Sequence, residues 1–471
     1  MLSAAIDENI NLMNNALNRA KSFDIKSVDT VADGRRAIIY FTQGYVSPKD
    51  LIFVMRDCSD INTANCVNET DFAIKNLSFP DVSFSDNEIS TADEVFRGKA
   101  ALLIDGYKQA IIIDVKSYPR RAVSEPEKNK TLRGPHEGFT ESIFENTVLI
   151  RRRIRTPSLC FENFSIGELT ATQVTMTYIS GRADETLVNT MRQKLESIKT
   201  LKSLALTQQT LSEALFPHTG IQKFSPLPKV RYVERPDTAA AMLTEGKVLI
   251  ICDTTPSVIC LPMSIFEYLE EAEDYYFPPF TGTYMRFVRL FVFIASVYMI
   301  PIWILFVSNK TLLPSQMGFI TKLDEYTVPL FLQFLIIEIA IDGLKLASLN
   351  TPNALSNSLS VVGGLLLGDF AVKSGWFLPQ TILYAAFTAI ANFVPTNYEL
   401  GYGFKFARIF LIIGVGLLGV WGFIGAFIIN HVILYLTKGT DGKSYLYPLI
   451  PFNGPAFKKL LFKETGGREN K

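Results

Sequence analysis

Three ionisable residues interrupt an otherwise apolar run, VPLFLQFLIIEIAIDGLKLAS at 328–348: Glu338, Asp342 and Lys345. At about 100° per residue along a helix, Asp342 falls about 40° from Glu338, and Lys345 lies in the same arc of about 60°. The three therefore form one stripe. Even on the lower insertion scale each costs about 2.5–3.5 kcal/mol at the centre of a bilayer, so the stripe must face protein or water. Two chemistries fit. One is the polar wall of an ion path. The other is a neutralised cluster that glues helices together, with Asp342 and Lys345 paired at i,i+3.

The next run, SNSLSVVGGLLLGDF at 356–370, adds small residues, Ser360, Gly363 and Gly364 among them, and a further acid, Asp369. Small residues allow close helix packing, or an irregular backbone lining a wet cavity. Acids beside small residues suit the passage of cations better than anions.

Outside these runs the chemistry is sparse. His136 stands in Arg133-Gly134-Pro135-His136-Glu137-Gly138, and a lone loop histidine is more often structural than catalytic. Arg151, Arg152 and Arg153 form a basic cluster that could meet anionic lipid or a neighbouring subunit; the blander reading is a salt-bridged face, with Glu267, Glu270 and Glu271 among the possible partners. The five cysteines include no CxxC pair, so neither a metal site nor a disulfide framework is expected. Phosphate-loop, dinucleotide, nucleophile-elbow and zinc-protease signatures are missing. The polar part of the chain thus reads as an assembly or regulatory module, not an enzyme, and no cofactor is expected.

Positioning these residues takes two kinds of architecture. The chain has 471 residues with 46 basic and 46 acidic side chains, and a neutral chain is a poor nucleic-acid binder. The opening segment is charged and amphipathic without a secretion-signal pattern, which places the N-terminal region in the cytosol. Up to about residue 280, short strands and helices alternate. The expectation is an α/β cytosolic region with mixed sheets in two subdomains, 1–95 and 96–280, the second opening on a hairpin turned at Asp105-Gly106. A polytopic helical transmembrane domain follows at 281–437, with apolar runs at 288–307, 328–347, 359–372, 376–394 and 409–436. The third is short, either a span or re-entrant. A basic tail, 438–471, favours a cytoplasmic C-terminus and so an even number of crossings. Four crossings plus a re-entrant third run satisfy this, but they leave Lys405 and Arg408 outside.

Long collinear strings carry a resemblance. RGPHEGFTESIFENTVLIRRRIR (133–155), VRYVERPDTAAAMLTEGKVLIICDTTPSVICLP (230–262), EDYYFPPFTGTYMRFVRL (273–290) and SVVGGLLLGDFAVKSG (360–375) resemble the A subunits of the GerA family of bacterial spore germination proteins. Within the family, 328–356 and 445–456 are most similar to the stage V sporulation branch. The resemblance singles out Arg133, Gly134, His136, Glu137, Arg151, Arg152, Arg153, Glu234, Arg235, Pro236 and Asp237 as motif residues. It implies the inner membrane of the spore, a cytosolic N-terminal region and a homo-oligomer, a ring-shaped and pentameric cation channel. Implied partners are a small membrane subunit, other germination receptor subunits, membrane lipid and monovalent cations. The competing class is a non-conducting membrane scaffold that assembles such proteins.

Overall fold

The computed structural model describes the chain except for residues 60–65, 118–133, 201–205, 218–224, 272–275, 313–317, 319, 350–370, 395–396 and 463–471. It divides into two compact units: Met1–Pro217 with Val230–Pro262, and His218–Lys229 with Met263–Lys471.

The first unit carries two five-stranded sheets. Its first half runs α1 (Ile6–Ala16), β1 (Ile25–Ala32), β2 (Arg35–Thr42), α2 (Pro48–Ser59), α3 (Glu69–Asn76), β3 (Val82–Ser85), α4 (Glu88–Phe96), β4 (Ala100–Ile104) and β5 (Ala110–Ile113). Its strand order is β1-β2-β4-β5-β3. The second half runs α5 (Ile143–Arg153), β6 (Leu159–Ile166), β7 (Thr172–Ile179), α6 (Glu185–Ser197), α7 (Gln208–Leu215), β8 (Arg231–Val233), α8 (Pro236–Thr244), β9 (Val248–Cys252) and β10 (Val258–Leu261), in the order β6-β7-β9-β10-β8.

All the strand pairings within these sheets are antiparallel, which corrects the expectation of mixed sheets. The misreading has a physical source. Continuous apolar strands such as AALLI and AIII usually mark parallel sheets buried on both faces. Here helices cover both faces of an antiparallel sheet. Ile39, Leu102 and Ile111 pack with Val54 and Phe72 on one side. Ile38, Leu103 and Ile112 pack with Met13 and Phe96 on the other.

The hairpin at Asp105-Gly106 forms as expected, joining β4 to β5 with Leu102 opposite Ile111. It belongs to the first sheet, however, so the break between subdomains falls after Ile113 and not near residue 95. The polar stretch that follows α2 holds α3, β3 and α4. Asn68 and Asn87 cap these two helices by accepting the backbone N–H of Asp71 and Ile89.

The second unit is helical: α9 (Pro279–Ser308), α10 (Leu330–Leu349), α11 (Pro379–Ala391), α12 (Tyr398–Leu436) and α13 (Gly454–Leu461). By length and composition α9 and α12 can cross a membrane. Helix α10 has 20 residues but carries the charged stripe, and α11 has only 13. Thus 288–307 lies inside a longer helix, and 328–347 and 376–394 correspond to α10 and the shorter α11. The run 359–372, with Ser360, Gly363, Gly364 and Asp369, lies outside the described residues up to Phe370. Arg133 does too.

The run 409–436 is the second part of α12, which breaks at Gly419 (φ 61°, ψ −134°), a conformation closed to side-chain-bearing residues. The two arms fold back on each other. Asn430 Nδ2 donates to the Ala407 carbonyl at 3.1 Å, and a Cβ placed on Gly414 would stand 2.6 Å from the Gly422 carbonyl oxygen. This close approach is why glycines recur there.

The segment 225–229 belongs to this unit. Tyr268 and Tyr445 both donate their hydroxyls to the Pro228 carbonyl, at 3.1 and 2.8 Å. Pro226 and Leu227 lie against Gly403 in the first arm of α12.

Candidate functional site

The stripe on α10 is met by α12. Arg408 Nε donates to Glu338 Oε1 at 2.8 Å, and its Nη1 donates to the Ser296 carbonyl of α9 at 2.7 Å. Lys405 Nζ lies 3.1 Å from Glu338 Oε2 and 2.6 Å from Asp342 Oδ2, and also donates to the Glu338 carbonyl at 3.1 Å. Two basic residues one helical turn apart thus answer two acidic residues one turn apart, while Phe404 of α12 packs on Phe293 of α9. Lys405 and Arg408 are buried inside the helical unit as the partners of Glu338 and Asp342.

Burial grades along the stripe. The Glu338 side chain is 5% exposed and Asp342 33%. Asp342 Oδ1 is buried and has no hydrogen-bond partner among the described residues. Lys345 does not take Asp342 as its partner. Its ammonium stands over the rings of Phe393 and Tyr402, at 4.8 and 5.8 Å, a cation–π arrangement. Glu338 therefore plays the part of helix glue, while Asp342 and Lys345 sit at the open edge of the cluster.

The polar residue that the apolar-run reading passed over is Gln333, wholly buried one turn into α10. Its Oε1 accepts from the Leu378 N–H at 3.1 Å and from Thr381 Oγ1 at 2.9 Å, at the start of α11. The beginnings of α10 and α11 thus lie together, and Lys345 with Phe393 joins their far ends, so the two helices run in the same direction. The signal in the sequence was a lone amide side chain in a lipid-type run.

In the first unit the motif residues fasten elements together. Arg151, 1% exposed, holds Asp24 through Nε and Nη2 at 2.8 and 3.1 Å and donates to the carbonyls of Thr156 and Leu159. Its guanidinium lies between Phe96 and Phe161, at 5.1 and 4.9 Å. It joins the two sheets. Arg152 and Arg153 each donate to Glu137, at 2.7 and 2.8 Å. Asp24 and Glu137 are thus the acidic partners of this cluster among the described residues. Arg235, fully buried, grips Asp237 and donates to the Pro135 carbonyl at 2.6 Å, while the Glu234 carbonyl accepts from the Phe139 N–H at 2.8 Å. Pro236 opens α8, where its missing N–H costs nothing. Gly134 adopts φ 113° and His136 is exposed. Together these bonds tie the 134–139 segment to α5 and α8.

Among the described residues no group of histidines, cysteines and carboxylates could hold a metal ion. A groove of about 740 Å³ runs beside Arg19, β6 and α6. Along it Arg192 and Tyr178 hydrogen-bond Glu162. Burial pushes the Glu162 carboxyl up, but these bonds outweigh it and hold the group below the usual range.

Apolar helices carrying a neutralised charge cluster, joined to a two-sheet α/β unit, define a membrane-associated protein without a catalytic signature. The chain belongs to the GerA family: the model for the Bacillus/Clostridium GerA spore germination protein matches residues 11–470. It is 34% identical to Stage V sporulation protein AF of Bacillus subtilis over 454 residues, 95% of this chain and 90% of that one. It is 29% identical to Spore germination protein KA of the same organism over 375 residues, 79% of this chain and 67% of that one. The crystal structure of the N-terminal domain of the A subunit of the Bacillus megaterium spore germinant receptor GerK3 covers 55% of this chain and 95% of that one, at 25% identity and a TM-score of 0.42.

Proposed function

We propose that this chain is a subunit of a homo-oligomeric ion channel in the inner membrane of the spore, releasing or amplifying the release of monovalent cations during germination. The observation that carries the proposal is Asp342. A carboxylate one-third exposed shares α10 with Ile339 at 73% and Leu346 at 62% exposed, residues of lipid-facing type. A carboxylate with one oxygen lacking a described partner, beside such a surface, calls for water or a second copy of the chain. Cyclic symmetry supplies both, bringing one open edge per subunit to a hydrated axis. A pentameric ring, and partnership with a small membrane subunit and other receptor subunits, follow from the family resemblance.

Charge alone does not select cations here. Lys345, Lys405 and Arg408 stand against Glu338 and Asp342, so the described cluster has no acidic excess. Cation preference rests on the resemblance and on Asp369. The role is non-enzymatic, and the α/β unit serves assembly or regulation.

The dry Glu338–Arg408 pair favours a second reading, a non-conducting scaffold whose charges only hold helices together. Reconstitution in liposomes separates the two. Asp342→Ala is expected to change potassium flux several-fold with protein level unchanged, and Glu338→Ala to reduce the amount of folded protein. No flux from the unaltered, correctly assembled protein would leave the scaffold.

A further inference from the structure

We infer that residues 445–462 form an in-plane element that binds the anionic surface of the cytoplasmic leaflet. The inference rests on the membrane embedding of the apolar helices and not on conduction. Helix α13 reads GPAFKKLL. At about 100° per residue Ala456, Phe457, Leu460 and Leu461 cover one arc of about 140°, and Lys458 and Lys459 occupy the opposite side. Both lysines are exposed, and none of the helix is buried. The preceding loop shows apolar residues to the outside: Leu449 at 42%, Ile450 at 38% and Phe452 at 70% exposed.

Placement names the occupant. Arg286 of α9 donates to the last carbonyls of α13, those of Lys459 and Leu460, at 2.9 and 3.0 Å. Phe287 stacks edge-on with Phe462 at 5.8 Å. Arg286 stands directly before the apolar run of α9, which is where a bilayer surface would lie. Helix α13 and its loop are thereby held at headgroup height, beside exposed Phe280, Tyr284 and Phe291. An amphipathic helix with lysines on one face, aromatics on the other and an apolar loop is built for the boundary between headgroups and acyl chains. Two adjacent lysines there complement phosphatidylglycerol or other anionic lipid.

The test uses the full chain in nanodiscs. The five native cysteines are buried, so Phe452→Cys can carry an environment-sensitive fluorophore, with Val31→Cys in β1 as the aqueous control. Nitroxide-labelled acyl chains should quench the label at 452 at least twofold and leave the label at 31 unchanged. Quenching should be stronger in discs with phosphatidylglycerol than with phosphatidylcholine alone. Lys458→Glu with Lys459→Glu should abolish that difference, and Lys458→Gln with Lys459→Gln should reduce it. A label at 452 quenched by aqueous iodide and not by lipid nitroxide overturns the inference. So does a preference for phosphatidylglycerol that persists unchanged in both lysine variants. A protein that conducts nothing would still give the expected quenching, so this outcome is separate from that of the channel proposal.

Discussion

Glu338 and Arg408 show how a charge survives among apolar helices. Each supplies what the other lost on leaving water, and the Ser296 carbonyl takes up a further guanidinium N–H. Removing one partner strands the other, a cost of about 3–5 kcal/mol for a buried pair. Replacing both with apolar residues of similar volume is often close to neutral. We therefore expect Arg408→Met and Glu338→Leu each to lower the unfolding temperature in detergent by several degrees. The double variant should recover most of the loss. Equal or additive losses would mean that the pair is not the unit of stability. The acidic half of this site was legible, because three charges break an apolar run. The basic half was not. Lys405 and Arg408 precede the run at 409, and a span drawn from apolar content begins after them. Neutralisation by α10 is what admits them to the helix, and that is a tertiary fact.

At the scale of elements, the tight fold of α12 matters most. An apolar stretch rich in glycine is compatible with one long tilted helix or with a broken one. What decides is Gly419, whose dihedrals only glycine holds without strain, together with the mutual approach of Gly414 and Gly422. Gly422→Leu should push the arms apart, break the Asn430 to Ala407 bond and sharply reduce recovery of folded protein. Gly425→Ala, where a Cβ would meet nothing within 4 Å, should be tolerated. Matching recoveries of the two variants would refute the close packing of the arms. The sheets teach a related lesson. Strand positions such as Arg36–Thr42 and the hairpin at Asp105-Gly106 were readable from local pattern. Strand direction was not, because burial on both faces erases the alternation that normally marks antiparallel strands. β1 is half polar, with no regular alternation, and its pairing with β2 is what makes it a strand.

For the whole molecule, the parallel run of α10 and α11 constrains the path through the membrane. The chain leaves α10 at one end of the bundle and enters α11 at the other. Were α9, α10, α11 and both arms of α12 each to span a bilayer, the chain would cross it six times and not four, with its end on the side where α9 begins. In a cysteine-accessibility experiment, Ser348→Cys and Ser374→Cys should react from opposite sides of the membrane. Reaction from the same side would restore the four-crossing path. The division of the chain has a mechanical consequence. The polypeptide passes from one unit to the other at 217/218, 229/230 and 262/263. Pro228, one residue from the second of these passages, is held by the hydroxyls of Tyr268 and Tyr445, so the strand that leaves at 229/230 starts from a fixed point in the helical unit.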